Sequence, residues 1–134
     1  MMLEYMLDTN ICIYVIKRQP PEVQARFDEV GPVLCISTIT LAELQHGVEK
    51  SSRRAENAKG LESFVSRLQV LPFSAQAAVH FGQIKAELQR AGTLCGPFDL
   101  QIGAHARSEG LVLVTNNRRE FDRMPGLRVE NWVD

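Results

Sequence analysis

Five short strand-like segments, the last of them weak, separated by segments of helical periodicity, narrow what this chain can fold into more than any other feature. They are Leu3 to Leu7, Val33 to Ile36, Val70 to Phe73, Leu111 to Val114 and Leu127 to Val129. Leu111 to Val114 has no polar residue to turn toward water, the pattern of a strand covered on both faces. Between the runs, Ile11 to Ile16 reads as a helix, and the next begins at Pro20-Pro21, because proline suits a first helical turn. Ser37 and Thr38 are cap candidates for a helix carrying Ile39, Leu41, Leu44 and Val48. Arg53 to Leu68 presents Leu61, Phe64, Val65 and Leu68 at helical spacing. Ser74 caps a long helix through Ala78, Phe81, Ile84 and Leu88, closed by Gly92. Gly96-Pro97 opens another, which stops at Gly110. Strands alternating with helices predict the α/β class, here a three-layer α/β/α arrangement on a mainly parallel sheet, in a single domain spanning 1–134.

Composition agrees with that frame. Of 134 residues, 45% are hydrophobic and 23% charged, close to globular averages, which excludes disorder. No apolar run approaches the ~20 residues of a membrane span. The N-terminus carries Glu4 and Asp8 and lacks the basic-then-apolar layout of a signal peptide. Cys12, Cys35 and Cys95 are odd in number and form no CxxC, so they are expected to be small buried hydrophobes in a reducing cytoplasm. A net charge of −1 and a pI near 6.3 exclude a dedicated, strongly basic nucleic-acid binder. The charge is uneven: residues 1–50 hold four basic and seven acidic side chains, and residues 51–134 hold eleven and nine. Arg118, Arg119, Arg123 and Arg128 offer phosphate contacts, against which stands a solvated charged face.

In open α/β sheets, ligands collect beyond the carboxyl ends of the strands, near the switch in strand order. That rule directs attention to Asp8, Thr9 and Asn10, to Ser37 and Thr38, and to Thr115, Asn116 and Asn117. Taken singly, each acid nearby has a structural explanation. Asp8 suits a helix N-cap. Thr40 and Glu43 have the spacing of a capping box. Asp99 sits in a first turn, where the helix dipole favours an acid, although its surroundings (Phe98, Ile102, Gly103, Ala104, Ala106) are small or apolar. Asn116-Asn117 is a typical turn pair, and Glu120 suits a surface. If the sheet is parallel, however, acids after strand one, after strand two and beside strand four converge. Like charges brought together need a cation between them. Oxygen ligands without His or Cys select Mg²⁺ or Mn²⁺, and such a cluster serves phosphodiester hydrolysis.

Four blocks in order then resemble a known family: Met6-Leu7-Asp8-Thr9-Asn10, Ser37 to Leu44, Gly96 to Ala106, and Val114-Thr115-Asn116-Asn117 followed by Glu120-Phe121. Together with Glu130-Asn131-Trp132 they look like the PIN-domain ribonucleases, and most like the VapC toxins of bacterial toxin–antitoxin pairs. The resemblance implies a metal-dependent endoribonuclease silenced by a VapB-type antitoxin. Asp8, Glu43 and Asp99 match the family's acidic, metal-holding positions, and Asn117 matches the fourth position. Thr9, Thr115, Asn116 and Glu120 match supporting positions, and Arg118 and Arg119 are candidates for RNA phosphates. It further implies tRNA, cut in the anticodon stem-loop with initiator tRNA foremost, as substrate, and a homodimer, for which the apolar face around Phe64, Val65 and Leu68 is available. An antitoxin Arg or Lys is expected near Asp8 and Asp99.

Two other readings compete. A non-catalytic RNA-binding module on the same scaffold is disfavoured by intact acids at all three main positions. An aspartate-nucleophile phosphatase needs a second acid two residues after the first, where this chain has Asn10, and a lysine late in the chain, whereas the last is Lys85. His46, His80 and His105 are too scattered for zinc; His105 suits a satisfied core or interface position. Trp132 is expected to pack, and Ile11, Ile13, Tyr14 and Val15 divide between core and an antitoxin groove.

Overall fold

The computed structural model describes residues 2–133. Its centre is a parallel five-stranded sheet in the order β3-β2-β1-β4-β5. The strands are β1 (Tyr5–Leu7), β2 (Leu34–Ser37), β3 (Gln69–Leu71), β4 (Val112–Val114) and β5 (Arg128–Glu130). All five expected strands are present, shifted by at most two residues at their ends. Among the described residues seven α-helices connect them: α1 (Thr9–Lys17), α2 (Pro21–Val30), α3 (Thr38–Glu49), α4 (Arg54–Val65), α5 (Ala75–Ala91), α6 (Pro97–Ser108) and α7 (Arg118–Phe121). The four-residue α7 was not expected, because a single turn carries too little periodicity to be read.

Alternation along the central strands divides the core in two. Leu7, Leu34, Ile36 and Val114 face α1, α2, α3 and α4, while Met6, Cys35 and Leu113 face α5, α6 and Phe121 of α7. These strand residues are wholly buried, as a parallel sheet covered on both faces requires. Burying a leucine or phenylalanine side chain contributes ~1.5–3 kcal/mol, so the two layers are held by many such terms. The face around Phe64, Val65 and Leu68, expected to be available for dimerisation, is part of the first layer instead. Phe64 is buried and stacks on Phe27 at 5.8 Å, and Val65 and Leu68 pack against the same core. Its period was read correctly; which side of the helix met the sheet was not in the pattern. All three cysteines are free and buried, as expected.

Local capping sets where helices start. Asp8 accepts from Ile11 N at 2.9 Å, Ser37 from Ile39 N at 3.1 Å, and Ser74 from Ala77 N at 3.1 Å. Gly92, at φ +70°, closes α5 in the left-handed region that favours glycine. The Thr40–Glu43 capping box does not form. Ser37 takes the cap, so Thr40 falls inside α3 with its buried hydroxyl unpartnered among the described residues.

The wedge between α6 and the segment before β5 is tight at Gly103. A Cβ there would lie 2.3 Å from Met124 Sδ and 3.4 Å from a Leu127 methyl. Because Met124 is itself buried, Gly103→Ala is expected to destabilise the fold by about 1–3 kcal/mol in equilibrium urea unfolding.

Candidate active site

The strand order places the switch point between β1 and β4, since the chain fills one side of β1 with β2 and β3 and then crosses to add β4 and β5. Asp8 follows β1 and Thr115 follows β4, so both stand over this crevice. They are joined directly: the Thr115 hydroxyl donates a short hydrogen bond to Asp8 Oδ2, while Oδ1 accepts from Ile11 N. Thr115 Oγ1 also accepts from Asn117 N at 2.9 Å, which ties the turn after β4 to the same point. Asp8 is therefore both cap and cluster member, and the two explanations of it were compatible.

Glu43, in the second turn of α3, is reached from the other side. The Thr9 hydroxyl donates to Glu43 Oε1 at 2.6 Å, linking the start of α1 to α3. Asp99, in the first turn of α6, faces Glu120 of α7. Burial first, then the close approach and charge of Glu120, then the charges of Asp8 and Glu43, push the Asp99 carboxyl up to about 7. Burial pushes Asp8 up to about 6 despite the bonds from Thr115, Ile11 and Asn10, with the Glu43 charge adding to the rise. Asp99 thus feels the charges of Glu120, Asp8 and Glu43, and Asp8 that of Glu43, across elements that follow β1, β2 and β4 or run beside them. Their coupling is electrostatic rather than a preformed cage. Among the described residues no three His, Cys, Asp or Glu side chains stand close enough together to enclose an ion.

The remaining expected residues separate. Asn116 turns its amide to the Tyr14 hydroxyl at 2.8 Å, so it braces α1 against the β4 turn. Asn117 precedes α7 without a side-chain cap bond. Arg118, a candidate for RNA phosphates, is half-exposed and pairs with Asp122 at 3.2 Å on the surface of α7. Arg119 and Arg123 are exposed and make no ion pair among the described residues. Ile11 and Val15 are core; Ile13 and Tyr14 are half-buried. His105 is fully buried, with Nδ1 2.8 Å from the Ser37 hydroxyl and Nε2 unpartnered among the described residues, so it is a core histidine satisfied on one side only. Trp132 packs edge-on against Tyr5 and donates to Glu130 at 2.9 Å.

Two features escaped the sequence. Tyr14 is the partner of Asn116, a pairing across 102 positions with no local signature. A cleft of about 500 Å³ between α1, α3 and α4, lined by Ile13, Ile16, Leu44, Val48 and Leu61, opens beside Glu43 rather than over Asp8. Its traces in the sequence were the groove expected around Ile13 and the half-polar pattern of α4.

A parallel five-stranded sheet with carboxylates gathered at its switch point defines a PIN-domain nuclease. The model of the PIN domain family matches residues 5–127, and the chain belongs to that family, among its VapC ribonucleases. It is 55% identical over 132 residues to Ribonuclease VapC2 of Haemophilus influenzae, covering 98% of this chain and 100% of that one. It is 53% identical to the tRNA(fMet)-specific endonuclease VapC of Salmonella typhimurium over 131 residues, 98% and 99% of the two chains. The crystal structure of DNA-bound VapBC from Salmonella typhimurium superposes with a TM-score of 0.94 at 53% identity, covering 98% of this chain and 100% of that one. Ribonucleases of this family depend on a metal ion.

The raised carboxyls carry a stability consequence. Asp8 in the folded protein lies above its ordinary 3.8, so between about pH 4 and 6 the folded state keeps a proton that the unfolded chain releases. Stability from this group is present below the unfolded value and lost as pH rises through the folded one. Asp8→Asn cannot ionise yet still caps Ile11. It is expected to raise unfolding free energy by about 1–3 kcal/mol at pH 7 in EDTA, and to change it little at about pH 3, in urea titrations at both pH values.

Proposed function

We propose that this chain is the toxin of a VapB-type antitoxin pair and cuts tRNA, initiator tRNA foremost, in the anticodon stem-loop, using Mg²⁺ or Mn²⁺ held by Asp8, Glu43 and Asp99. The observation that carries the site assignment is the placement of these acids about the sheet's switch point, where Asp99 feels the charges of Asp8 and Glu43, and Asp8 that of Glu43. The donor set fits the ion: hard oxygens only, with no His or Cys among the proposed ligands. The tRNA reading rests on the naming of relatives 53–54% identical as tRNA(fMet)-specific endonucleases. The antitoxin reading rests on the VapBC complexes whose toxin chains share this fold. The setting is the cytoplasm, where tRNA is; among the described residues no helix is long and apolar enough to cross a membrane.

A bound Mg²⁺ or Mn²⁺ supplies a water of lowered pKa and neutralises charge on the scissile phosphate. The protein's own groups prepare for it. Thr115 fixes the orientation of the Asp8 carboxylate, and Thr9 fixes Glu43. Asp99 stands among acidic neighbours, Glu120 foremost, whose repulsion a bound cation would offset. Asn117 brings an amide without charge, so the carboxylates carry the electrostatic work. The burial of Asp8 strengthens every charge interaction in the crevice.

The cleft beside Glu43, apolar along α1 and α4 and edged by Lys17, Glu43 and Glu56, is proposed as part of the antitoxin seat. From it an antitoxin Arg or Lys reaches the acidic cluster around Asp8 and Asp99. The homodimer expected from the family belongs to this proposal as well, through a surface other than the buried Phe64 face.

Purified, antitoxin-free protein is expected to cut tRNA at one position with Mg²⁺ or Mn²⁺ and not in EDTA. Asp8→Ala is expected to abolish cutting; retained cleavage in that variant or in EDTA would overturn the assignment. Thr115→Val, which removes the donor to Asp8 but keeps the shape, is expected to weaken Mn²⁺ binding and turnover by about 10–100-fold, the usual cost of losing an outer-sphere partner. Calorimetric Mn²⁺ titration and single-turnover cleavage measure the two effects separately.

A further inference from the structure

The rim of the acidic crevice carries an aromatic side chain that the fold leaves uncovered. Phe98 is 53% exposed although it directly precedes Asp99 in the first turn of α6. The inward side of that helix is filled by Leu100, Ile102, Ala104 and Ala106, all buried, so Phe98 is not a displaced core residue. Leu94, in the loop leading into α6, is 48% exposed as well. Exposing one large apolar side chain is ordinary; placing one beside a proposed metal ligand is what asks for a reason.

The charges at this rim identify the kind of molecule that covers it. Cys95, between Leu94 and Phe98, lies within the electrostatic reach of Asp99, Glu120 and Arg123. The loop before α6 and the region of α7 therefore border the same crevice. Arg119 and Arg123 are exposed and free of ion pairs among the described residues. An exposed aromatic residue directly before Asp99, with unpaired arginines in and just after α7, matches the alternating chemistry of a single-stranded nucleic acid. Bases stack on aromatic rings, and phosphates meet the cations.

We propose that Phe98 is the stacking platform for a base adjoining the scissile phosphate, with Arg119 and Arg123 holding neighbouring phosphates. This rests on the ribonuclease reading and deepens it by naming the side chains that seat the RNA beside the acids. Phe98 contributes through KM more than through kcat, because it binds the substrate beside the reacting atoms without touching them.

The test uses the full-length chain and a tRNA anticodon stem-loop RNA carrying 2-aminopurine at each loop position in turn. Binding is read in the Asp8→Asn background, and cleavage in the otherwise unchanged protein. Phe98→Ala is expected to lower kcat/KM about tenfold, mainly through KM, and to abolish the quenching of one 2-aminopurine position. Phe98→Tyr is expected to restore both to within about twofold, while the thermal midpoint and Mn²⁺ affinity stay unchanged in both variants. Unchanged cleavage and quenching in a folded Phe98→Ala protein would overturn the proposal. So would a Phe98→Ala protein whose only defect is weaker antitoxin binding, which would assign the ring to the protein partner. If the unaltered chain cuts no RNA, the ribonuclease reading fails; Phe98-dependent quenching then still supports stacking, and its absence overturns it.

Discussion

Everything at the working end of this molecule depends on keeping several carboxylates together where burial and mutual repulsion oppose it. Asp8 and Asp99 show the cost directly, since both are pushed well above the ordinary carboxylate range by burial first and by acidic neighbours after it. The fold meets the cost with local donors: the Thr115 hydroxyl and Ile11 N on Asp8, and the Thr9 hydroxyl on Glu43. All three donors lie just past a strand end or in a first helical turn, so the backbone that forms the sheet also aims the site. A cation is the group that turns this opposition into attraction, which is why the arrangement suits metal-assisted phosphodiester chemistry.

The parallel sheet makes the gathering possible. Because all five strands run the same way, the residues that leave β1, β2 and β4 emerge on one edge. The order 3-2-1-4-5 then separates the helices connecting the two halves at β1 and β4, leaving a crevice between Asp8 and Thr115. Two apolar layers on opposite faces of short strands hold this edge in register. The periphery is tuned differently: Arg118 is paired with Asp122 on the surface, whereas Arg119 and Arg123 stay free beside the crevice.

The fold was largely legible because it follows from period. Mostly apolar runs of three to five residues bounded by caps and glycines give strands, and apolar residues three and four apart give helices. Asp8, Glu43 and Asp99 were legible as a cluster because parallel strands force their ends together, and the family resemblance agreed. What was not legible was facing. Phe64, Val65 and Leu68 have the spacing of a partner-binding stripe and of a core stripe alike, and contact with Phe27 made them core. Thr40 and Glu43 have capping-box spacing, yet Ser37 caps three residues earlier and the box never forms. Arg118 and Arg119 are adjacent and chemically identical, but only the first is within reach of Asp122.

The sequence by itself determined the strand–helix alternation, the burial of the strands and the identity of the acidic residues, because each is written in local period and residue type. Only the tertiary structure decided which hydroxyl serves which carboxylate, which arginine stays unpaired, that Asn116 braces Tyr14, and that a cleft lies beside Glu43. Those outcomes join residues as far as 107 positions apart. No local rule reaches that distance: side-chain partners are chosen by how packed helices orient their faces, and that choice is made only when the core closes.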